Sequence, residues 1–167
     1  KPVAEIALGF TLSLLRDIHA AHQDFINKKE KYGLDGNLKA SLLSDKKIGL
    51  LGFGDLGKAL VTLLKPFSSK INIYDPWIPN KKIINQGFKP IALKKMFKEC
   101  EVIYVLAAIT TKNKGLINKK LLNLMKSNSL IILMSRAAVV NFNDLKNRLK
   151  KGDIFAAIDV FPEEPVK

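Results

Sequence analysis

Three glycines have the spacing to hold a phosphate-bearing cofactor. Gly52, Gly54 and Gly57 follow the apolar run 48–51 with the spacing G-x-G-x-x-G. At a turn from strand to helix, the first glycine makes a tight turn, the second lets the backbone approach a pyrophosphate, and the third lets helix and strand pack closely. The free N–H groups at the helix start then face the phosphate charge. The spacing therefore predicts a dinucleotide site.

A carboxylate after the next apolar run strengthens this prediction. Asp75 follows the run 71–74, eighteen residues after Gly57, where a carboxylate can accept hydrogen bonds from both ribose hydroxyls of an adenosine. A 2′-phosphate would meet a like charge there, so the pattern favours NAD over NADP. Asp55 and Leu56, inside the glycine turn, are predicted to line the same site. The Asp55 carboxylate would stand near the pyrophosphate, so it must point to solvent or serve the helix dipole.

Two other kinds of nucleotide site can be weighed against this one. Gly57-Lys58 is followed by Ala59 rather than by serine or threonine, so a P-loop is not supported. A methyltransferase that uses adenosylmethionine stays open as an alternative, although it does not call for the third glycine.

The apolar runs alternate with helical patterns along most of the chain. Uniformly apolar strands are buried on both faces, and strands separated by helices run parallel through right-handed crossovers. We therefore expect an α/β fold, a doubly wound parallel sheet of Rossmann type over residues 46–160, with its ligand at the carboxyl ends of the strands. The predicted strands are 48–51, 71–74, a short one at Phe88, 102–107, 130–134 and 154–160; the predicted helices are 56–64, 82–86, 93–98, 116–125 and 141–149, the last capped by Asn141 or Asn143.

A long leading helix is predicted over residues 1–29, before a loop at 32–45. Two histidines on this helix, His19 and His22, are spaced to share a metal, but no third ligand lies nearby, so we interpret them as part of a polar face and predict no metal site. The helix prediction depends on apolar residues recurring at intervals of three and four: Val3, Ile6, Ala7, Phe10, Leu14, Ile18 and Ala21.

Composition places the chain among globular domains. Its 167 residues are 47% apolar and 26% charged, which excludes a disordered or fibrous protein and suits one domain rather than a two-domain enzyme. The net charge is +13, but only three of the 28 basic residues are arginines and the lysines are scattered. Because base recognition prefers arginine, we interpret the lysines as a solvated coat and predict no nucleic-acid partner, with a basic nucleic-acid binder as the alternative.

Cysteine usage and hydropathy bound the environment of the chain. Cys100 is the single cysteine, so we predict a buried structural thiol rather than a disulfide or a nucleophile. The apolar runs fall short of the ~18 residues typical of a membrane span, and no signal peptide opens the sequence. The prediction is a soluble, cytoplasmic protein without a membrane partner.

Seven segments resemble, in order and spacing, the NAD-binding domain of the D-isomer specific 2-hydroxyacid dehydrogenases. The resemblance covers nearly the whole chain, and its most specific part is the closing Asp-Val-Phe-x-x-Glu-Pro. The segments are 3–5, 49–57, 74–76, 115–118, 125–126, 135–137 and 157–165.

The resemblance implies hydride transfer between NAD(H) and a 2-hydroxy or 2-oxo acid, for example of glyoxylate, hydroxypyruvate or phosphoglycerate type. By position, Arg136 corresponds to the arginine that grips the substrate carboxylate, and Glu164 to the glutamate that orients a catalytic histidine. Asp159 corresponds to the residue facing the nicotinamide carboxamide, and Thr110 and Ser135 to cofactor contacts. The leading helix belongs to a dimer interface in the family, which implies a homodimer.

Residue chemistry supports part of this assignment. Arg136 and Glu164 both follow predicted strands, so they are expected at the edge where the cofactor lies. An arginine fork can bind a carboxylate in two places. Without the resemblance, Arg136 could be a structural ion-pair partner and Glu164 a solvated turn residue.

The sequence also departs from the family pattern. The acid/base histidine and the N-terminal substrate-binding part of the family have no counterpart, so we expect this chain to be part of a longer enzyme. An NAD(H)-sensing interaction module of corepressor type is the alternative function. Four family residues are replaced: asparagine by Leu133, glycine by Ala137, aspartate by Asn141 and proline by Ala108.

Overall fold

The computed structural model describes residues 1–67 and 70–163. The strands within these residues are β1 Ile48–Leu51, β2 Ile71–Tyr74, β3 Lys89–Pro90, β4 Val102–Val105, β5 Ser129–Leu133 and β6 Ile154–Ile158. The α-helices are α1 Pro2–Leu15, α2 Ile18–Ile26, α3 Asp55–Leu64, α4 Asn80–Asn85, α5 Leu93–Glu99, α6 Lys119–Leu122 and α7 Phe142–Leu149. Short 3-10 helices span Asp35–Asn37, Leu43–Asp45 and Ala137–Val139.

The described strands form a six-stranded parallel sheet in the order β3-β2-β1-β4-β5-β6. The chain builds outward from β1 to β3 and then returns to place β4 on the other side of β1. Leu51 pairs with Tyr74 of β2 and with Val105 of β4, so these three strands end level. Helices flank the sheet, which confirms the predicted doubly wound α/β fold and puts its switch point between β1 and β4.

Two hydrophobic clusters, one on each face of the sheet, explain why the strands are apolar throughout. Successive side chains of a strand point to opposite faces. Ile48 and Leu50 pack in the cluster that includes α1 and α3, whereas Leu51 packs in the cluster that includes α5, α6 and α7. Both faces of β1 are therefore covered.

The leading segment differs from the single helix predicted over 1–29. α1 ends at Leu15, and Asp17 adopts a left-handed backbone with a φ of 55° before α2 begins. The predicted apolar stripe is also displaced, because the buried face consists of Ala4, Ala7, Thr11 and Leu15. The hydroxyl of Thr11 donates to the Ala7 carbonyl at 2.8 Å and lies 2.7 Å from the hydroxyl of Tyr104 on β4.

The predicted helix 116–125 is also wrong over much of its length. Gly115 has a φ of 63°, and Ile117 forms an isolated bridge to Val140 instead of joining a helix. α6 therefore begins only after Asn118, whose Oδ1 accepts from the N–H of Lys120 at 3.0 Å. The side chain of Asn141, not that of Asn143, caps α7 by accepting from the Asp144 N–H at 3.1 Å.

Smaller differences concern the ends of other elements. β4 and β6 end at Val105 and Ile158, earlier than predicted, and the strand expected at Phe88 lies at Lys89–Pro90. In the described ranges, the structure contains no helix with the length and apolar character of a membrane span.

Candidate cofactor site

A cleft of about 490 Å³ opens at the carboxyl ends of β1, β2 and β4. Its walls come from three segments: the glycine turn after β1, the end of β2 with the residues that follow, and the loop after β4. Because β1, β2 and β4 end level, these segments converge on one space. The cleft occupies the switch point, where ligands of open α/β sheets bind.

The first and third glycines make the turn compact. Gly52 has a φ of 102°, and a Cβ at this position would lie 2.7 Å from the backbone N of Ala107. A Cβ at Gly57 would lie 2.8 Å from the Gly52 carbonyl oxygen. Any side chain at either position would push the turn away from β4 or from α3.

The middle glycine faces the cleft. A Cβ at Gly54 would meet no heavy atom within 4 Å, so the backbone there is open to a ligand. Gly54 is also the N-cap residue of α3, and its carbonyl accepts from the Lys58 N–H at 3.0 Å. The N–H groups of Asp55, Leu56 and Gly57 lie ahead of that bond and are directed out of the helix end, toward an anion placed there.

Asp55 lines the cleft, but its carboxylate points to solvent. The side chain is fully exposed, and its Oδ1 lies 3.8 Å from the Lys58 Nζ. The sequence predicts that this carboxylate either points to solvent or serves the helix dipole, and the structure shows it in solvent. A carboxylate in the first helical turn also suits the positive end of the helix dipole.

Asp75 joins two of the three walls of the cleft. Its Oδ2 accepts from the Phe53 N–H and its Oδ1 from the Trp77 N–H, both at 2.8 Å. The carboxylate therefore ties the glycine turn to the end of β2, a role that sequence reasoning missed. Since each carboxylate oxygen has two lone pairs, each keeps one acceptor site for a ribose hydroxyl.

The loop after β4 is fixed by a residue that sequence reasoning also missed. Asn113 uses both ends of its amide: Oδ1 accepts from the Thr110 N–H, and Nδ2 donates to the Ala108 carbonyl, each at 2.7 Å. These bonds hold Thr110 and Lys112 at the edge of the cleft. The available signal was an asparagine in a polar loop, a residue type that often bonds nearby backbone.

Arg136 belongs to a second, smaller cavity. This cavity measures about 230 Å³ and is lined by Arg136, by residues after β6 and by Ile109 of the loop that also borders the first cleft. The side chain of Arg136 is exposed, and its Nη1 donates to the Ser135 carbonyl at 2.8 Å. Arginine thus stands at the carboxyl end of β5, as the sequence predicts.

The remaining predicted site residues are distributed along the same edge. Ser135 is buried, and its Oγ has no hydrogen-bond partner among the described residues. Asp159 is exposed, and its N–H donates to the Leu133 carbonyl at 3.0 Å. Neither Ser135 nor Asp159 is among the described residues that line the cofactor cleft or the cavity beside Arg136. Glu164 lies outside the described residues.

The replaced family positions fit the backbone. Leu133 is buried in the sheet core, where an apolar side chain suits its surroundings. Ala137 begins a 3-10 helix and has no left-handed φ, so alanine adopts this conformation without strain. Ala108 supplies the carbonyl that Asn113 binds.

The other candidate groups lie away from the cleft. Cys100 is buried, as predicted, and burial raises the pKa of its thiol to about 11, so it stays protonated at neutral pH. His19 and His22 are exposed on α2. Residues 1–67 and 70–163 contain no group of three or more histidine, cysteine, aspartate or glutamate side chains that could hold a metal ion.

The geometry fits a dinucleotide. The Gly54 backbone offers a ligand close access, free N–H groups mark the helix start, and the Asp75 carboxylate stands across the turn. The order of these groups matches pyrophosphate followed by ribose. The parallel sheet, the glycine turn and the switch-point cleft together define a Rossmann dinucleotide-binding domain.

Comparison with known families identifies the kind of Rossmann domain. The family model of the D-isomer specific 2-hydroxyacid dehydrogenase NAD-binding domain matches residues 8–167. The chain therefore belongs to this family, which confirms the resemblance seen in the sequence and the predicted cofactor, NAD.

Individual relatives agree with this assignment. Glyoxylate reductase of Pyrococcus horikoshii is 33% identical over 167 residues, which cover 95% of this chain and 49% of that protein. A phosphoglycerate oxidoreductase structure from Rhizobium etli has a TM-score of 0.90 and 38% identity, covering 99% of this chain and 53% of that one. An NAD-dependent formate dehydrogenase structure from Staphylococcus aureus, in complex with NAD, has a TM-score of 0.89 and 27% identity, covering 99% and 50%.

The shared region is one part of larger proteins. This chain spans 31% to 52% of the length of eight curated relatives.

Proposed function

We propose that this chain is the cofactor-binding part of an enzyme that transfers hydride between NAD(H) and a small 2-hydroxy or 2-oxo acid. The observation that supports it most is the pair of 2.8 Å hydrogen bonds that fix Asp75 between the glycine turn and the end of β2. This arrangement holds a ribose acceptor beside a phosphate-binding helix end.

The proposed cofactor contacts follow the cleft. The backbone at Gly52, Gly54 and Gly57 and the first-turn N–H groups of Asp55 and Leu56 bind the pyrophosphate. Asp75 binds the adenosine ribose hydroxyls. Toward the other end of the cofactor, Thr110 borders the nicotinamide half, the buried hydroxyl of Ser135 is open to a partner, and Asp159 faces the carboxamide.

The proposed chemistry uses the second cavity. Bound NADH supplies a hydride from its nicotinamide C4, which reduces the C2 carbonyl of a 2-oxo acid. Arg136 binds the substrate carboxylate through two parallel N–H donors and polarises the keto oxygen. Glu164, on the family resemblance, orients the histidine that supplies the balancing proton. Relatives with the names glyoxylate reductase and phosphoglycerate dehydrogenase point to small acids of this class.

Titration of this chain with NADH, followed by fluorescence enhancement of the dinucleotide, tests the proposal. Saturable binding is expected, and Asp75→Ala weakens it by roughly 10- to 150-fold because hydrogen bonds to a charged group are lost. Asp24→Ala on the exposed face of α2 is the matched control and leaves the affinity unchanged. A folded parent chain that does not bind NADH removes the proposal.

We also propose that the protein is a homodimer in the cytoplasm. Large apolar side chains are 53% to 79% exposed between residues 18 and 42, namely Ile18, Phe25, Ile26, Tyr32, Leu34, Leu38 and Leu42. Exposed apolar patches of this kind mark interaction surfaces, and the family resemblance makes a second copy the occupant. Sedimentation of the parent chain and of Phe25→Glu tests this, with a shift to monomer expected in the variant.

Cell fractionation tests the proposed location in the cytoplasm.

The corepressor alternative gains no support from the comparisons, since the relatives named above are enzymes.

A further inference from the structure

A further cavity opens at the edge of the sheet opposite to the cofactor cleft. It measures about 280 Å³ and is called here the amino-edge cavity, because it lies where β1, β2 and β3 begin. Three lysines that are far apart in the sequence meet there, and none of the described lining residues is acidic. The lining residues are Lys47, Lys70, Ile71, Asn72 and Lys89.

Strand register explains why the three lysines meet. Gly49 of β1 pairs with Asn72 of β2, and Asn72 pairs with Lys89 of β3. Lys47 and Lys70 each precede this row by two residues, so their side chains continue it on the same face of the sheet. Like charges at opposed positions of paired strands are destabilising. The amino edge therefore carries an electrostatic cost that a bound anion would remove.

Neighbouring groups balance only part of this charge. Lys47 pairs with Glu99 of α5, but Glu99 Oε1 also lies 3.7 Å from the Lys95 Nζ, so two lysines share one carboxylate. Lysines near helix C-termini often serve the helix dipole. α4 and α5 have Lys82 and Lys98 in their last turns for that purpose, whereas the lysines of the cavity stand at strand starts.

A backbone donor also faces the amino-edge cavity. The Ile91 N–H donates to the Ile73 carbonyl at 3.0 Å, so Ile73 directs its backbone polar groups toward β3. Ile71, two residues earlier, directs its N–H to the same side. β3 begins only at Lys89, the partner of Asn72, and in the described ranges no backbone carbonyl outside the sheet accepts from this N–H. Free N–H groups at a sheet edge favour anions.

Asn72 fixes the frame of the cavity. Its side chain is buried, and its Nδ2 donates to the carbonyls of Ile48 and Lys70, both at 3.1 Å. These two bonds tie the start of β1 to the start of β2. The spacing of the lysine backbones is therefore set before a ligand arrives.

We propose that the amino-edge cavity binds a phosphate or diphosphate group of a small molecule. The Ile71 N–H donates to one oxygen, and ammonium groups surround the others, those of Lys47, Lys70 and Lys89. Several charged donors around a backbone N–H suit an anion with several oxygens. This site is separate from the cofactor cleft, because the four residues of β1 or β2, about 13 Å at ~3.3 Å per residue, lie between them.

Backbone amide spectra of the ¹⁵N-labelled chain test the proposal residue by residue. Titration with inorganic pyrophosphate at constant ionic strength is expected to shift the Ile71 amide saturably. Sodium acetate at the same ionic strength leaves it unchanged. The Gly54 amide reports separately on pyrophosphate in the cofactor cleft. Shifts confined to Gly54 and its neighbours, or an equal shift of Ile71 with acetate, overturn the amino-edge site.

Variants measure the contribution of the lysines. Lys70→Met and Lys89→Met are each expected to weaken pyrophosphate binding at the Ile71 amide by roughly 2- to 5-fold, the range for exposed charge pairs. The double variant weakens it by roughly 4- to 25-fold if the two act independently. Lys146→Met on α7 removes the same charge outside the cavity and is the matched control. A double variant that binds like the parent overturns the site.

Thermal unfolding supplies a second readout. Unfolding without ligand shows that each variant is folded. Because a ligand that binds only the native state stabilises it, pyrophosphate is expected to raise the unfolding midpoint of the parent more than that of the double variant.

The outcomes separate this site from the proposed function. If the chain binds NADH and the Ile71 amide does not respond to pyrophosphate, the amino-edge site is wrong and the function stands. If the chain does not bind NADH and the Ile71 amide responds, the function fails and the amino-edge site stands.

Discussion

The cofactor cleft and the smaller cavity beside Arg136, both at the carboxyl edge of the sheet, differ in how firmly their functional groups are held. In the cofactor cleft, Asp75 and Asn113 each make two short hydrogen bonds to backbone of the cleft walls. In the smaller cavity, the exposed Arg136 donates to the carbonyl of its own neighbour, Ser135. The comparison indicates that the described residues preorganise the dinucleotide site, whereas the side chain of Arg136, which we propose to bind the substrate, is exposed and, within the described ranges, held only through its own neighbour.

The largest expected effect comes from the second cavity. Arg136→Lys, tested in the proposed enzyme with its histidine and substrate-binding part, is expected to lower kcat/KM by roughly 100-fold or more, because an ammonium cannot bind a carboxylate through two parallel donors. NADH affinity is expected to be unchanged, since Arg136 does not line the cofactor cleft. Steady-state kinetics with glyoxylate, hydroxypyruvate and pyruvate provide the measurement. An unchanged rate removes Arg136 from the mechanism.

The next effect separates two glycines within the cofactor cleft. Gly52→Ala forces a Cβ into contact with Ala107 at a left-handed φ, so we expect a loss of about 1–3 kcal/mol in the free energy of unfolding together with loss of NADH binding. Gly54→Ala places its Cβ in open space and is expected to weaken NADH binding while leaving stability within about 1 kcal/mol of the parent.

Urea unfolding and NADH titration of both variants make this test. Equal destabilisation by the two substitutions would contradict the assignment of a structural role to Gly52 and a ligand-facing role to Gly54.

A pH effect concerns an ion pair at the amino-terminal end of β6, the end opposite to the second cavity. Asp153 precedes β6 and pairs with the buried Arg148, whose Nη2 lies 3.0 Å from Asp153 Oδ2. The hydrogen bond from Arg148 lowers the pKa of Asp153. Because the pKa of Asp153 is lower in the folded state, its ionised carboxylate stabilises the fold at pH values above the pKa of the unfolded state, about 3.9. That stabilisation is lost as the pH falls through the pKa of the folded state.

Asp153→Asn is therefore expected to lower the free energy of unfolding at neutral pH. In acid, the free energy of unfolding of the variant should fall less steeply than that of the parent. Urea unfolding across that pH range measures this. Glu163→Gln, whose carboxylate shows no bond to Arg148 in the structure, is the control. If the free energy of unfolding of Asp153→Asn falls in acid as steeply as that of the parent, the pair contributes nothing to stability.

The smallest effect concerns Asp55. Its carboxylate is fully exposed at the helix end where the pyrophosphate is proposed to bind, so Asp55→Asn is expected to tighten NADH binding by about 2- to 3-fold at low salt and less at high salt, where exposed charges are screened. Titrations at the two salt concentrations provide the check. A weaker-binding variant would mean that Asp55 contacts the cofactor favourably.

Sequence patterns predicted the regular parts of this structure and missed those that depend on tertiary contacts. The run 48–51, the glycine spacing and Asp75 predicted the centre of the fold because strand burial and turn geometry are written in local residue types. The break at Asp17 was missed because apolar periodicity continues across it. The structural role of Asp75, which ties the glycine turn to the end of β2, was missed because its bond to Phe53 joins segments 22 residues apart.

Part of the candidate site depends on more than local pattern. The positions of Asn113 and Lys112 follow from how the loop after β4 returns to the cleft, which residue types alone do not specify. The role of Glu164, outside the described residues, still depends on the family resemblance.

A crystal structure of this chain with NAD tests the central claim most directly. We predict the adenosine ribose hydroxyls within hydrogen-bond distance of the Asp75 carboxylate and the pyrophosphate against the backbone at Gly54. A dinucleotide seated with its ribose away from Asp75 would contradict the account.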